Sequence, residues 1–417
     1  MKQQDKYEWF INASYGMFIH WGIYSVLGRG EQVLFREHLK PSEYRQLAHV
    51  FNPAGYDPQA WASYAKKAGM KYMVLTAKHH DGFCLFDSSY TEYTAYKTAA
   101  KRDLVRSYTD ACRAAGLRVG LYFTLADWNV PAYFDGPAKD PQGFDRFIRY
   151  VHAQVEELCR HYGKIDLLWF DADWPYSAEE WRSVELVDKI KKLQPDILIN
   201  NRLPKPPEGG DWGYQTPEQK IEAAKGLWES CQTYGNYWWG YHIGDNMWKT
   251  PQKIVADLCK IAEGGGNLLF NVGPKPDGTL PQPYVDCILE TGKWLEENGE
   301  AIYGAQPGIC EVSSIGHMTI KGNKVYLLVL YWPGTEVHMS GLANKVLQAR
   351  LLRDKSKLTF NQEGEHIYIK DLPAMPPDPY CTVIELETEG LPEAYPWVSQ
   401  RLWSGHNISA YADWSRQ

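Results

Sequence analysis

Asp171 closes the apolar run Leu167-Leu168-Trp169-Phe170, and Asp173 and Trp174 follow at once. A carboxylate at the end of a buried strand, walled by indole rings, can act on a ligand seated at the edge of the core. Two such carboxylates can cleave a glycosidic bond: one attacks the anomeric carbon and the other protonates the departing oxygen. Asp171 suits the first role. A nucleophile must stay ionised, and His20, His79, His80 and Arg202 offer it donors. The second role asks for a drier carboxyl whose pKa is raised. Glu218, downstream of Trp212 and Tyr214, and Glu229, directly after Trp228, both qualify. Each acid also has a structural reading. Asp171 could cap the following turn, Glu218 could be a first-turn helix acid after Thr216-Pro217, and Glu229 could bond backbone or Arg202.

The histidines allow a different chemistry. His20, His79, His80 and Asp81 could ligate a metal. Neighbours on a strand point to opposite faces, however, so only one of His79 and His80 is expected to face inward. The glycine-rich stretch GGGNLLFNVGPKPDGTLP, residues 264–281, lacks GxxxxGK[ST] and reads as turns and close packing rather than a phosphate loop.

These residues need elements to hold them. Up to about Gly304, short apolar runs alternate with amphipathic patterns. The strand candidates are GMFIHWG, KYMVLTAKHH, RVGLYFTLADW, KIDLLWFD, DILINNR, LWESCQTYG, NLLFNVGP and, as an eighth, AIYG. Between them lie helical segments such as DPQAWASYAKKAGM and FDRFIRYVHAQVEELCRHYG. Apolar strands without alternation are buried on both faces, as in a parallel sheet, and seven or eight β/α repeats point to a (β/α)8-like (TIM-type) barrel over residues 1–305. In such a barrel the strand ends converge on one face. There they would gather His20, His79, His80, Tyr122, Asp127, Trp169, Asp171, Arg202 and Asn271. From residue 306 to 390 the pattern becomes strands separated by turns, read as an antiparallel β-sandwich. Residues 391–417 form a Trp- and Ser-rich tail that could pack back or reach a neighbouring subunit in a homo-oligomer.

Composition narrows the function. The net charge is -7 with no basic block, which argues against nucleic acid as partner. No apolar stretch is long enough to span a bilayer, so no membrane partner is expected. Eight scattered cysteines without a CxxC pair read as reduced, buried thiols. The N-terminus MKQQDKYEWF has no apolar signal core, so the expected compartment is the cytoplasm. The 17 Trp and 28 Tyr, many beside Asp, Glu, His and Arg, suit a sugar site, since a pyranose offers apolar faces to rings and hydroxyls to polar groups.

In combination, WFINASYGMFIHWGIYS, AGMKYMVLTAKHHDGFCLFDS, GLRVGLYF, KIDLLWFDADWP, TPEQ, WESC, GGGNLLFNVGPKPDGTLP and GEAIYG resemble the family 29 glycoside hydrolases, the retaining α-L-fucosidases. The resemblance covers residues 8–305 well. It implies a (β/α)8-like barrel with a C-terminal β-sandwich, no metal and no organic cofactor, and a fucosylated oligosaccharide as substrate. It matches Asp171 to the nucleophile, and Glu218 of TPEQ, then Glu229 of WESC, to the acid/base. It matches His20, His79, His80 and Arg202, with Trp169 and Tyr122 beside them, to groups that hold the sugar. Glu31 fits an acid that grips the sugar, with Gln32 where a Trp is common, and Trp239 fits a wall near the sugar methyl. The alternatives are a retaining hydrolase of a related sugar such as an α-galactoside, a non-catalytic fucose-binding protein, and a metal-dependent hydrolase.

Overall fold

A computed structural model describes residues 6–235, 237–310, 312 and 314–396. The chain divides into two units. One runs to Lys249 and adds Asn267–Glu290; the other joins Thr250–Gly266 to the residues from Thr291 onward. The division is interleaved rather than a single boundary at 305. The helix Pro251–Glu263 groups with the second unit because Glu263 accepts from His317 Nδ1 (2.8 Å) and the Met318 amide (3.2 Å). The end of the helix Gln282–Asn298 does likewise, through Trp294 Nε1 on the Cys381 carbonyl (2.7 Å).

In the first unit, seven parallel strands make one sheet. They are β1 Tyr15–Ile19, β2 Tyr72–Lys78, β3 Arg118–Thr124, β4 Leu167–Asp171, β5 Leu198–Ile199, β6 Glu229–Thr233 and β7 Asn267–Val272. The order is β5-β4-β3-β2-β1-β7-β6. The edges β5 and β6 are joined by an irregular stave, residues 214–218. Asn200 bridges to Tyr214, Gln215 to Trp228 and Glu218 to Cys231, all parallel. This stave takes the eighth place expected of AIYG. Gly299–Ala301 is a 3-10 turn instead, and Ile302–Gly304 continues as turn. A β-strand there has no free edge to join, because the circuit is already closed. Glu218 therefore lies on a barrel stave and not in the first turn of a helix.

The interior is filled as the strand period dictates. Phe18, Tyr72, Val74, Tyr122, Leu167, Trp169, Leu198, Tyr214, Cys231 and Leu269 form one buried cluster, plugged below by Tyr7, Phe10 and Ala13. Gly16 is required by close approach: a Cβ there would stand 2.4 Å from the Tyr72 ring. Between β3 and β4 the chain first forms the helix Pro131–Lys139, started by Pro131 and kinked at Gly136. It precedes the long helix Pro141–His161, which Asp140 caps by accepting from the Gly143 amide.

In the second unit, a five-stranded antiparallel sheet contains the hairpin Gly316–Lys321/Lys324–Val329 with Val346–Leu351 and Thr382–Thr388. A three-stranded sheet contains Val337–Ser340, Thr359–Glu363 and His366–Lys370. Inward residues of both, including Met318, Val325, Leu327, Met339, Ile367, Ile369, Ile384 and Leu386, make one core. The fold is thus a (β/α)8-like barrel and an antiparallel β-sandwich. Of the expected tail, only Leu391–Pro396 falls within the described residues.

Candidate active site

A cavity of about 120 Å3 opens at the C-terminal ends of the barrel strands, where loops can carry chemistry on a rigid frame. Phe18, His20, Glu31, Gln32, His79, His80, Tyr122, Trp169, Asp171, Trp174, Arg202, Glu218 and Trp239 line it. Every residue expected to bind or react is there except Glu229.

Asp171 stands where β4 ends. Trp169 and Asp171 share the inward face of that strand, two residues apart. Asp171 Oδ2 accepts from the Tyr122 hydroxyl (2.8 Å), and Oδ1 accepts from Arg202 Nη1 (3.0 Å). His80 Nε2 approaches Oδ2 at 3.7 Å. Burial alone would raise the Asp171 pKa, but Arg202, His80, Tyr122 and the Ala172 amide outweigh it and hold the carboxyl below its ordinary value. Arg202 Nη2 donates to Glu218 Oε2 (2.8 Å), so one guanidinium holds both carboxylates. The Arg202 group also lies 4.7 Å from the Trp169 ring centre. Both acids are followed by a non-glycine residue in the left-handed region, Ala172 (φ 64°) and Gln219 (φ 56°). Such backbone is costly for a residue with a Cβ and gathers where a site over-determines the chain.

Burial lowers the pKa of all three histidines of the site. Burial lowers the His20 pKa to about 3 despite its bond to Asn271. His20 Nδ1 lies 2.6 Å from Asn271 Oδ1, and Asn271 Nδ2 donates to the Trp239 carbonyl (2.7 Å). Asn271 Oδ1 is therefore an acceptor, His20 Nδ1 carries the proton, and Nε2 is left to accept from a ligand hydroxyl. His80 Nδ1 meets Thr124 Oγ1 at 2.7 Å. His79 lies near-parallel to Tyr122, 5.6 Å away, and its Nδ1 has no hydrogen-bond partner among the described residues. Both His79 and His80 line the cavity, against the expectation of one, because β2 ends at Lys78 and the alternation stops there.

Glu31 is buried, and burial raises its pKa. It accepts from the backbone amides of Trp239 (3.0 Å) and Gly240 (2.8 Å), which fixes the loop that carries Trp239 against His20 (5.1 Å). Gln32 Oε1 accepts from Arg36 Nε at 3.0 Å.

Glu229 is below the site, within the barrel. Its carboxylate accepts from Tyr72 (2.6 Å), Tyr214 (2.7 Å) and Trp169 Nε1 (2.9 Å). Burial raises its pKa to about 7 against those three bonds. The expectation that the acid lies in the drier place leads to Glu229, whereas the cavity opens on Glu218, whose side chain is 42% exposed. The strand-end acids Asp81 and Asp127 also turn away. Asp81 accepts from Tyr44 (2.7 Å), and Asp127 pairs with buried Lys78 (3.0 Å). Among the described residues no group of three or more His, Cys, Asp or Glu side chains could hold a metal ion, and no helix is long and apolar enough to cross a membrane. Sequence reasoning did not single out Phe18, although its place two residues before His20 on β1 puts it on the same face. Trp174 stood out in the sequence as an indole ring just after Asp171, with no role assigned to it.

Residues 1–300 match the family model described as alpha-L-fucosidase. The chain belongs to the α-L-fucosidase family. It is accordingly a glycoside hydrolase of family 29. The α-L-fucosidase isoenzyme 1 of Paenibacillus thiaminolyticus superposes with a TM-score of 0.87 at 39% identity, covering 93% of this chain and 99% of that one. A family 29 α-L-fucosidase of Bacteroides thetaiotaomicron, solved as a trapped covalent intermediate with 2-fluoro-fucosyl fluoride, gives 0.86 at 28% identity, covering 93% and 97%. The tissue α-L-fucosidase of Macaca fascicularis is 29% identical over 404 residues, 88% of this chain and 85% of that protein. The family leaves behind the α-galactoside and binding-protein alternatives. It also corrects the cytoplasmic expectation, for the relatives are tissue enzymes and include a plasma α-L-fucosidase of Rattus norvegicus, 29% identical over 358 residues, 78% of this chain and 77% of that protein.

Proposed function

We propose that this chain is an exo-acting α-L-fucosidase that releases terminal L-fucose from fucosylated oligosaccharides by double displacement. The observation that carries the assignment of roles is the single guanidinium of Arg202 held between Asp171 (3.0 Å) and Glu218 (2.8 Å) at one small cavity. It makes the two acids near neighbours. Retaining pairs lie about 5–5.5 Å apart and inverting pairs about 6.5–9.5 Å.

Asp171 is the nucleophile. Its ionised carboxylate attacks C1 while Glu218 donates a proton to the glycosidic oxygen, so the C1–O bond to the aglycone breaks and a fucosyl ester forms. Glu218, now a carboxylate, takes a proton from water. The hydroxide oxygen bonds to C1, the ester bond breaks and Asp171 is regenerated, giving fucose of unchanged configuration. Arg202 keeps Asp171 charged and anchors Glu218. His20, His79, His80 and Glu31 bond the sugar hydroxyls, the neutral His20 Nε2 as acceptor. Phe18, Trp169 and Trp239 give the 6-deoxy methyl an apolar wall and exclude water, which strengthens the field of Asp171 on the developing oxocarbenium charge. Tyr122 orients Asp171 through its 2.8 Å bond.

The deciding experiment is azide rescue. Asp171→Ala with an activated aryl fucoside and azide is expected to yield β-fucosyl azide, because azide enters the face the carboxylate vacated. An α product, or an Asp171→Ala variant as active as the wild type, refutes the assignment.

A further inference from the structure

The outer face of the three-stranded sheet in the second unit carries a pair of histidines. In the strands Val337–Ser340 and His366–Lys370, Val337, Met339, Ile367 and Ile369 point into the sandwich core, so His338, Ser340, His366 and Tyr368 emerge on the opposite face. His338 stands across from Tyr368 and His366 across from Ser340, which makes the two histidines diagonal neighbours. Their rings reach each other: His338 Nε2 lies 3.3 Å from His366 Nδ1, with the ring centres 5.4 Å apart. Tyr368 lies near-parallel to His338 (4.6 Å, 14°) and limits the rotation of that ring. On the other side of His366, Nε2 faces Glu365 Oε1 at 3.9 Å.

Among the described residues neither of the two facing nitrogens has another hydrogen-bond partner. The pair is open to water: His338 is exposed, and the His366 side chain is 46% exposed. One facing nitrogen must carry a proton for the contact to be a hydrogen bond. With that proton moved to the outer nitrogen of its own ring, both facing nitrogens offer a lone pair to one ion. Two imidazole nitrogens at about 2.0–2.1 Å from a tetrahedral ion stand about 3.3–3.4 Å apart, and at a right angle on an octahedral ion about 2.8–3.0 Å. The observed 3.3 Å fits the tetrahedral case. Imidazole suits zinc, whereas calcium and magnesium take oxygen ligands. Glu365 is on the side from which a carboxylate orients a metal-bound histidine through its outer N–H.

We propose that His338 and His366 form a zinc site on the second unit, with water in the remaining positions, that ties the strand Val337–Ser340 to His366–Lys370. The site is no part of the fucosidase reading above and stands or falls separately. The test titrates Zn2+ by calorimetry into the full chain, prepared without an affinity tag. The wild type is expected to take up one equivalent at this site. His338→Ala and His366→Ala are each expected to bind it at least about 10-fold more weakly. The truncated side chains are in water, so the fold should survive both changes. Zn2+ should raise the Tm of the wild type and of neither variant, because an ion that binds only the folded chain stabilises it. Ser340→His sets a third imidazole directly across from His366 and should bind Zn2+ more tightly than the wild type. A wild type that takes up no Zn2+, or an isotherm unchanged in both alanine variants, overturns the site. Loss in only one variant would mean that its histidine binds with some other group, and overturns the pair. A Ser340→His chain that binds no more tightly would show that this face does not gather ligands at one point, and overturns it as well.

Discussion

Glu218 and Glu229 lie on adjoining staves of one barrel, joined by the bridge from Glu218 to Cys231, yet their surroundings differ in kind. Glu218 is at the mouth, partly in solvent, with the charged Arg202 as its partner. Glu229 is inside, fully buried, and takes hydrogen bonds from Tyr72, Tyr214 and Trp169. One is free to meet a ligand and exchange a proton with it. The other has both oxygens occupied by the rings that floor the site. Through Trp169, which lies near-parallel to Tyr122 (5.5 Å) and beneath Arg202 (4.7 Å), Glu229 supports Asp171 without touching the cavity. In a barrel, depth along the strand separates reaction from support, even between residues of one type.

Substitutions can break that contrast. The largest effect belongs to the mouth: Asp171→Ala should lower kcat/KM on the order of 10^4-fold with little change in Tm, as expected when one member of a catalytic unit is removed. Glu218→Ala should cost about 10^2- to 10^4-fold on an oligosaccharide and far less on an aryl fucoside whose leaving group needs no proton. With azide it should yield the α-fucosyl product. If Glu229→Ala shows that leaving-group dependence and Glu218→Ala does not, the two roles are exchanged.

The interior should answer in stability. Glu229→Ala strands three buried donors and is expected to destabilise by ~3–5 kcal/mol, read by denaturant titration, with activity falling equally on good and poor leaving groups. Arg202→Lys sharpens the contrast at the mouth. A lysine cannot span two carboxylates, so kcat/KM should fall about 10- to 100-fold. The acid limb of its pH profile should also move up, because Arg202 is the largest influence lowering the Asp171 pKa. An unmoved limb would mean that Asp171 is not the group titrating there.

The smallest effect is a pH dependence of stability. Folding raises the Glu229 pKa from an ordinary 4.5 to about 7. Between those values the unfolded chain has released a proton that the folded chain keeps. Its contribution therefore lowers stability as pH rises through that window, and the loss is complete above about 7. Glu229→Gln cannot ionise, so its Tm relative to wild type should improve from pH 5 to pH 8. A difference that stays constant with pH would place the ionisation elsewhere.

Much of this was legible in the sequence because it rests on local pattern. The buried strand runs, the inward pairing of Trp169 with Asp171, and the change to alternating strands after residue 306 all follow from side-chain periodicity. The barrel stave at 214–218 was not legible. It has no apolar run and is held by isolated bridges to β5 and β6, so its partners rather than its residues make it part of the sheet. For the same reason AIYG, with a plausible composition, stayed a turn.

By itself, the sequence determined which residue types would meet at one end of a barrel, because strand and helix periods fix the face on which each side chain emerges. Only the tertiary structure decided that Glu218 opens on the cavity while Glu229 is enclosed, and that His79 and His80 both face inward. Depth, closure and the end of a strand's alternation are set by contacts between segments far apart in the chain, and no local pattern carries them.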